Sequence, residues 1–302
     1  MIGGNMALLI LSDKRAGHEN QSLAFAKHLG LPYELIHVSY AYRIIKLLSY
    51  LLDYLGLHVK IFHAPTPSQT TYEYIVATGS STYYPAKYFA KRFHAKTVAL
   101  MLPKNYRNDF DKVFVMEHDV TSLADNMITL PVNICYAEPK GVYIPSKQAI
   151  GIIIGGDNKT FKMNPAHIKQ TLKAIKQAFQ NYEIAITTSP RTPKEVERMI
   201  EAFAFDYTVI YSKNKTNPIA DFLFTCKHVF ITEDSTSMIS EAACFGTAGI
   251  EIITLETTDT NNKYRRFVTT LAAQNYVHLY EGTCATMTDK FPLRKTLIKV
   301  LS

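Results

Sequence analysis

Residues 149–188 read AIGIIIGGDNKTFKMNPAHIKQTLKAIKQAFQNYEIAITT, and their reading decides the fold. An apolar run over 149–154 stops at Gly155-Gly156, and a polar loop follows. Asn164 suits an N-cap and Pro165 the first helical position, which predicts a helix over 165–180. The next apolar run, 183–187, predicts another strand. Strand, loop, helix, strand is the repeating unit of a parallel sheet, whose strands are covered on both faces and so carry unbroken apolar runs.

The same alternation extends in both directions. Downstream, a helix is expected over 193–202 with Thr192 as its cap, then a strand over 207–211. A short helix opened by Asn217-Pro218 precedes a strand over 229–232. Ser235, Thr236 or Ser237 then caps a helix that Gly246 closes, and 249–255 is the last clear strand. Upstream, strands are expected over 7–11, 33–38, 74–77, 97–101 and 112–115, with helices over 21–29 and 84–93. The pattern pauses over 131–148, where Pro131, Pro139, Gly141 and Pro145 fall without any sustained period. This places a boundary between an N-terminal domain, 1–146, and a C-terminal domain, 147–302. The expected class is α/β: two Rossmann-like domains with parallel sheets facing a cleft.

Length and composition agree. The chain has 302 residues, 47% hydrophobic and 20% charged, which suits about two folded domains and excludes a disordered chain. The formal charge is +7, shared between the halves: 14 basic against 11 acidic residues through residue 146, and 19 against 15 from residue 147 onward. No concentrated basic block stands out, so a nucleic-acid partner is not expected, whereas a small anion or a membrane surface is. Cys135, Cys226, Cys244 and Cys284 form no CxxC pair, which predicts reduced buried thiols and no zinc site. No run is long enough to span a membrane, and the apolar start lacks a basic n-region and cleavage site, so it is expected to be a strand in a cytoplasmic protein.

Ligands of such sheets bind beyond the carboxyl ends of the strands, so four loops carry the candidate chemistry. The loop over 12–22, SDKRAGHENQS, offers His18 as a base near neutral pH, or Asp13 or Glu19 as a carboxylate base, with Gly17 supplying a positive φ. Gly155-Gly156 allow backbone N–H groups close to a phosphate, with Lys159 nearby. Thr187-Thr188-Ser189-Pro190-Arg191 brings hydroxyls and a guanidinium to a helix start. Ser235, Thr236 and Ser237 open a helix where an anion is favoured, with Glu241 placed for ribose hydroxyls and Glu233 for hydroxyls or a base edge. Each loop equally fits a plain turn or cap. Residues 40–57, YAYRIIKLLSYLLDYLGL, form an apolar helix expected to pack in the core, with a membrane interface as the alternative.

Taken together, the segments resemble the mitochondrial-fission Elm-type family. The resemblance rests on Ser12-Asp13 through Gly17-His18-Glu19-Asn20-Gln21-Ser22, Glu117-His118-Asp119, Gly155-Gly156, and Thr187-Thr188-Ser189 with Arg191-Thr192-Pro193. It continues through Asn217-Pro218, Thr232-Glu233-Asp234-Ser235 to Ser240-Glu241-Ala242-Ala243, and Lys263-Tyr264-Arg265-Arg266-Phe267. Lys14, Ala16, Pro190 and Gly246-Thr247-Ala248 depart from the family pattern. The resemblance implies a glycosyltransferase-B-like build and a nucleoside-diphosphate sugar, of UDP type, as substrate rather than cofactor. On it, Gly155, Gly156, Arg191, Ser235, Thr236 and Ser237 would hold the diphosphate without a metal and Glu241 the ribose, with Lys159, Ser189, Glu233 and Arg265 also at the nucleotide-sugar site. The expected activity is glycosyl transfer. The alternatives are a nucleotide-sugar 2-epimerase and a non-catalytic scaffold on the inner membrane held through 40–57.

Overall fold

The computed structural model describes residues 7–119 and 122–301; the first six residues of the expected N-terminal domain lie outside the described residues. Residues up to Tyr136, together with the segment from Leu293 onward, form one compact unit, and Ala137–Pro292 form the other.

In the first unit the elements run β1 (Leu8–Ser12), α1 (Ala16–Leu29), β2 (Tyr33–His37), α2 (Arg43–Tyr54), β3 (Tyr74–Ala77), α3 (Tyr83–Phe93), β4 (Lys96–Ala99), β5 (Lys112–Met116) and β6 (Met127–Leu130). The strands form one parallel sheet in the order β2-β1-β3-β4-β5-β6. Leu9, Leu11, Ile75 and Ala77 bury one face of it beneath Phe62, Tyr84 and Phe89.

The second unit runs β7 (Ala149–Ile154), α4 (Pro165–Ala178), β8 (Glu183–Thr188), α5 (Lys194–Glu201), β9 (Tyr207–Val209), α6 (Ile219–Thr225), β10 (His228–Thr232), α7 (Thr236–Cys244), β11 (Gly249–Ile253), α8 (Lys263–Ala273) and β12 (His278–Leu279). Its sheet is also parallel, in the order β12-β11-β10-β7-β8-β9. Both sheets are Rossmann-like. In each, the winding direction reverses once, between β1 and β3 and between β7 and β10, and ligands of such sheets bind beside these switch points.

The caps follow the chemistry of the residues. Asn164 Oδ1 accepts the amides of Ala166 and His167, and Ser235 Oγ accepts that of Met238. Thr192 does not cap α5. Its hydroxyl accepts the amide of Ser189 and donates to the carbonyl of Gly155, tying two loops together.

Three expectations change. The division lies at Tyr136/Ala137 rather than at 146/147, because residues 137–146 are held by the second unit. The buried Asp221 carboxylate takes the amides of Lys140, Gly141, Val142 and Tyr143 at 2.7–3.3 Å, and Glu183 takes Ser146. The last described helix, α9 (Leu293–Leu301), returns to the first unit and packs on α1, with Leu293 and Leu297 buried. Finally, α2 is not a core helix. Its buried residues are Ser49 and Asp53, while Ile44, Leu47, Leu48, Leu51 and Leu55 are exposed by 39–68%. The helix presents its apolar stripe outward because a polar one is pinned inward: Asp53, fully buried, takes Lys87 Nζ at 2.7 and 2.9 Å and the amide of Arg107 at 2.7 Å. Among the described residues, no helix is long and apolar enough to cross a membrane.

Candidate functional site

Each switch point carries one cluster of polar groups, and each cluster lies within a single unit. In the first unit the loop after β1 turns at Lys14, which holds a φ of 63°. Gly17 supplies no positive φ, since it already lies in the first turn of α1. The turn brings Asp13 back to His18, whose Nδ1 is 3.1 Å from both carboxylate oxygens. Asp13 therefore fixes the proton on Nδ1 and directs Nε2 to act as the acceptor, the arrangement a general base needs. Glu19 accepts the Ser12 hydroxyl at 2.5 Å. Of the three carboxylate or imidazole candidates, Asp13 and His18 form a dyad and Glu19 braces the loop.

The loop after β3 completes this cluster. Gly79 has a φ of 90°, and a Cβ there would stand 2.4 Å from His18 Cε1 and Nδ1, so the imidazole occupies the space a side chain would fill. Beyond it, Ser80 and Ser81 accept Lys46 Nζ at 2.8 and 3.2 Å. Desolvation, and then Arg15 nearby, hold the Lys46 ammonium below its usual range, while Asp13 pulls the other way. Gly79 and Lys46 were not among the expected site residues. A glycine in the loop after a strand was the available signal for the first. For Lys46 the signal was a lysine inside the apolar run 44–48.

In the second unit the loops after β7, β8 and β10 converge. Gly155 N–H donates to Thr232 Oγ1 at 2.8 Å, and Gly156 N–H to Asp234 Oδ2 at 3.0 Å. The glycines are thus required for close packing: a Cβ on Gly155 would meet Asp234 Oδ1 at 2.0 Å, and one on Gly156 the Arg191 carbonyl at 2.1 Å. Their amides, expected to face a phosphate, are taken by the protein itself. Asp234 is the hub. It is buried, accepts the Thr232 hydroxyl at 2.7 Å and pairs with Arg191 at 2.9 Å. Burial pushes its carboxyl up, against the pull of Gly156, Thr232 and Arg191. The Arg191 side chain remains 42% exposed. Ser189 accepts the Arg191 amide at 3.2 Å and holds the turn, and Lys159 is exposed on its own loop.

Ser235, as the cap, and Thr236 and Ser237, in the first turn, bring the N-terminus of α7 to the same place. Here lie amides that the helix cannot pair for itself, and where negative charge is favoured. Glu241 follows on α7, partly buried, and burial pushes its carboxyl up to about 7. Two expected ligand residues are instead committed to each other. Glu233 is fully buried and receives Arg265 bidentately, Nε at 2.8 Å and Nη2 at 2.6 Å, and also the Leu255 amide. The pair anchors α8 to the end of β10 and cancels the charge of both side chains, so Glu233 has no accepting capacity directed at a sugar hydroxyl.

Comparison with known proteins places these features in context. A family model described as Mitochondrial fission ELM1 matches residues 16–297. The uncharacterized protein RP120 of Rickettsia prowazekii (strain Madrid E) is 28% identical over 294 residues, covering 80% of this chain and 81% of that protein. Among solved structures, similar folds include MurG of Acinetobacter baumannii, with a TM-score of 0.46 and 12% identity over 98% of this chain and 89% of that one. They also include a putative UDP-N-acetylglucosamine 2-epimerase of Listeria monocytogenes, with a TM-score of 0.48 and 10% identity over 99% and 88% of the two chains. A family 9 glycosyl transferase of Veillonella parvula gives 0.47 and 11% over 100% and 97%.

Proposed function

The chain belongs to the mitochondrial fission ELM1 family, and from that premise we propose that it is a nucleotide-sugar enzyme, in its simplest form a glycosyltransferase that needs no metal at the diphosphate. One observation carries the proposal: each sheet has a polar cluster at its switch point, a base dyad in one and a helix N-terminus with a part-exposed arginine in the other. The second unit holds the donor. The first turn of α7, at Ser235, Thr236 and Ser237, and Arg191 receive the diphosphate, and Glu241 takes the ribose diol. Gly155, Gly156 and Ser189 keep these loops packed together, and Lys159 adds charge at the rim.

The first unit holds the acceptor. His18 Nε2 takes the proton of the acceptor hydroxyl, whose oxygen forms the new bond to the anomeric carbon as the bond to the diphosphate breaks. Asp13 stabilises the imidazolium that results. The charge that develops on the leaving diphosphate is met by the α7 dipole and Arg191. A 2-epimerase would use the same groups without an acceptor, and incubation with UDP-sugars alone separates the two: product without acceptor favours epimerisation. Binding is tested by thermal shift with UDP and UDP-sugars, where a ligand at about 100 times Kd stabilises by about 2.7 kcal/mol. Arg191→Ala should abolish the shift. No shift from any nucleotide at millimolar concentration would leave the second unit without a donor site.

The exposed apolar stripe of α2 favours a peripheral membrane contact alongside this chemistry. Ile44, Leu47, Leu48 and Leu51 would enter the headgroup boundary, with Arg43 meeting anionic lipid. Co-sedimentation with anionic vesicles, lost in Leu48→Glu, is the expected result. Equal sedimentation of the two proteins refutes the contact.

A further inference from the structure

At the other end of the second sheet stands a group that no part of the proposed chemistry uses. His228 opens β10, whereas the phosphate loops follow its last residue, Thr232, about 13 Å along a five-residue strand. His228 lies beside Gly249, and Glu251 lies beside His278, on three adjacent parallel strands. Because side chains alternate along a strand, His228, Glu251 and His278 share one face. The loop after β12 adds Cys284. One ligand atom each from His228, Glu251 and Cys284 lies within 4.8 Å of the others.

One buried polar atom of this group, on His228, has no hydrogen-bond partner. Glu251 is fully buried in a mostly apolar sheet, where an uncompensated carboxylate is costly. Its oxygens receive His278 Nδ1 at 2.6 Å and the Ala285 amide at 2.9 Å. His228 is 94% buried, and its Nδ1 has no hydrogen-bond partner although it stands 3.4 Å from Glu251 Oε1. That separation is the distance between two ligands of one tetrahedral ion: at about 2.0–2.1 Å from zinc, such atoms stand about 3.3–3.4 Å apart. The absent side chain at Gly249 is what admits the imidazole, since a Cβ there would be 3.0 Å from Nδ1. His278 and the Ala285 amide already orient the carboxylate, as partners of a metal-bound carboxylate do.

We propose that His228 Nδ1, the Glu251 carboxylate and Cys284 Sγ bind a divalent transition ion of the zinc class, which staples β10, β11 and the loop after β12. The mixed imidazole, carboxylate and thiolate set selects zinc or cobalt over calcium or magnesium. The spacing of the cysteines could not disclose it, because the ligands come from two strands and a loop spread over 57 residues.

The test uses the full chain, purified without added chelator. Elemental analysis should find about one zinc per chain. After removal of that metal, cobalt(II) should produce a near-ultraviolet sulfur-to-cobalt charge-transfer band that saturates at one equivalent. Cys284→Ser should lose the band, and His228→Ala should keep it with affinity reduced at least tenfold. Circular dichroism of the metal-free variants identifies any that fail to fold. The wild-type result alone can overturn the proposal: no bound zinc and no band at excess cobalt. A band of unchanged intensity in Cys284→Ser, from a folded protein, overturns it equally.

Discussion

Replacing Asp53 by Asn removes one charge from the group that fixes α2 to its unit. Asp53 is fully buried and receives both Lys87 Nζ contacts, the Arg107 amide and His58 Nε2 at 3.1 Å. Taking away one partner of a buried ion pair costs about 3–5 kcal/mol, because the other charge is left uncompensated. Here Lys87 keeps a second carboxylate, Asp109 at 2.5 Å, which is 37% exposed. The loss should therefore fall at the lower end, about 3 kcal/mol. With an m value of about 2 kcal/mol per molar urea, the midpoint for the first unit falls by about 1.5 M.

The measurement must follow this unit separately, since two units need not unfold together. Hydrogen exchange by mass spectrometry, read on peptides from α2 and α3 across a urea series, does so. The pH dependence supplies an internal control. Burial pushes the Asp53 carboxyl up, but the bonds from His58, Lys87 and Arg107 outweigh it and hold the group below its usual range. A depressed carboxyl contributes stability that is present above its unfolded pKa, about 3.9, and lost as pH falls through the folded value. The wild-type protein should show this acid loss below pH 4, and Asp53→Asn should show less of it. A stability change under about 1 kcal/mol at pH 7, or an unchanged acid loss, would mean that the Asp53–Lys87 pair does not anchor α2.

Three further outcomes are expected. Glu241 is the opposite case: its raised carboxyl keeps a proton up to about 7 when folded, so stability falls as pH rises from about 4 to 7. Glu241→Gln should be about 1–2 kcal/mol more stable than wild type at pH 8 and equal to it at pH 4, by denaturant titration; the same difference at both pH values would contradict this. Arg265→Ala leaves the Glu233 carboxylate buried without its partner and should cost about 3 kcal/mol, measured as a fall in Tm; a variant that keeps its Tm and loses only nucleotide affinity would put Arg265 back among the ligand residues. Gly79→Ala adds about 1–2 kcal/mol of backbone strain and pushes His18 off its position, seen as a shift of the His18 ring resonances in NMR; an undisturbed ring would mean that Gly79 does not make room for it.

The sheets were legible because strands covered on both faces carry unbroken apolar runs, as over 149–154 and 229–231, and the caps at Asn164 and Ser235 are local chemistry. The edge strands β6 and β12 were not: Met127–Leu130 is only partly buried and His278–Leu279 is two residues long, so neither stands out as an apolar run. Helix α2 misled for a different reason. Apolar composition says that a face seeks cover but not which cover, and the deciding partner of Asp53, Lys87, is 34 residues away. The candidate site was half legible on the same ground. Asp13 and His18 are five residues apart and read as one loop, whereas Glu233 and Arg265, 32 apart, each resemble a ligand until they are seen to bind each other.

The return of α9 to the first unit sets an order of events during synthesis. Chains emerge N-terminus first, and units fold as they become complete. The first unit lacks α9, which packs on α1, until residues 293–301 have left the ribosome. The second unit, Ala137–Pro292, is available in full before then. The half translated first is thus finished last, by a latch of nine residues, and a fragment cut at residue 146 would carry a bare patch on α1.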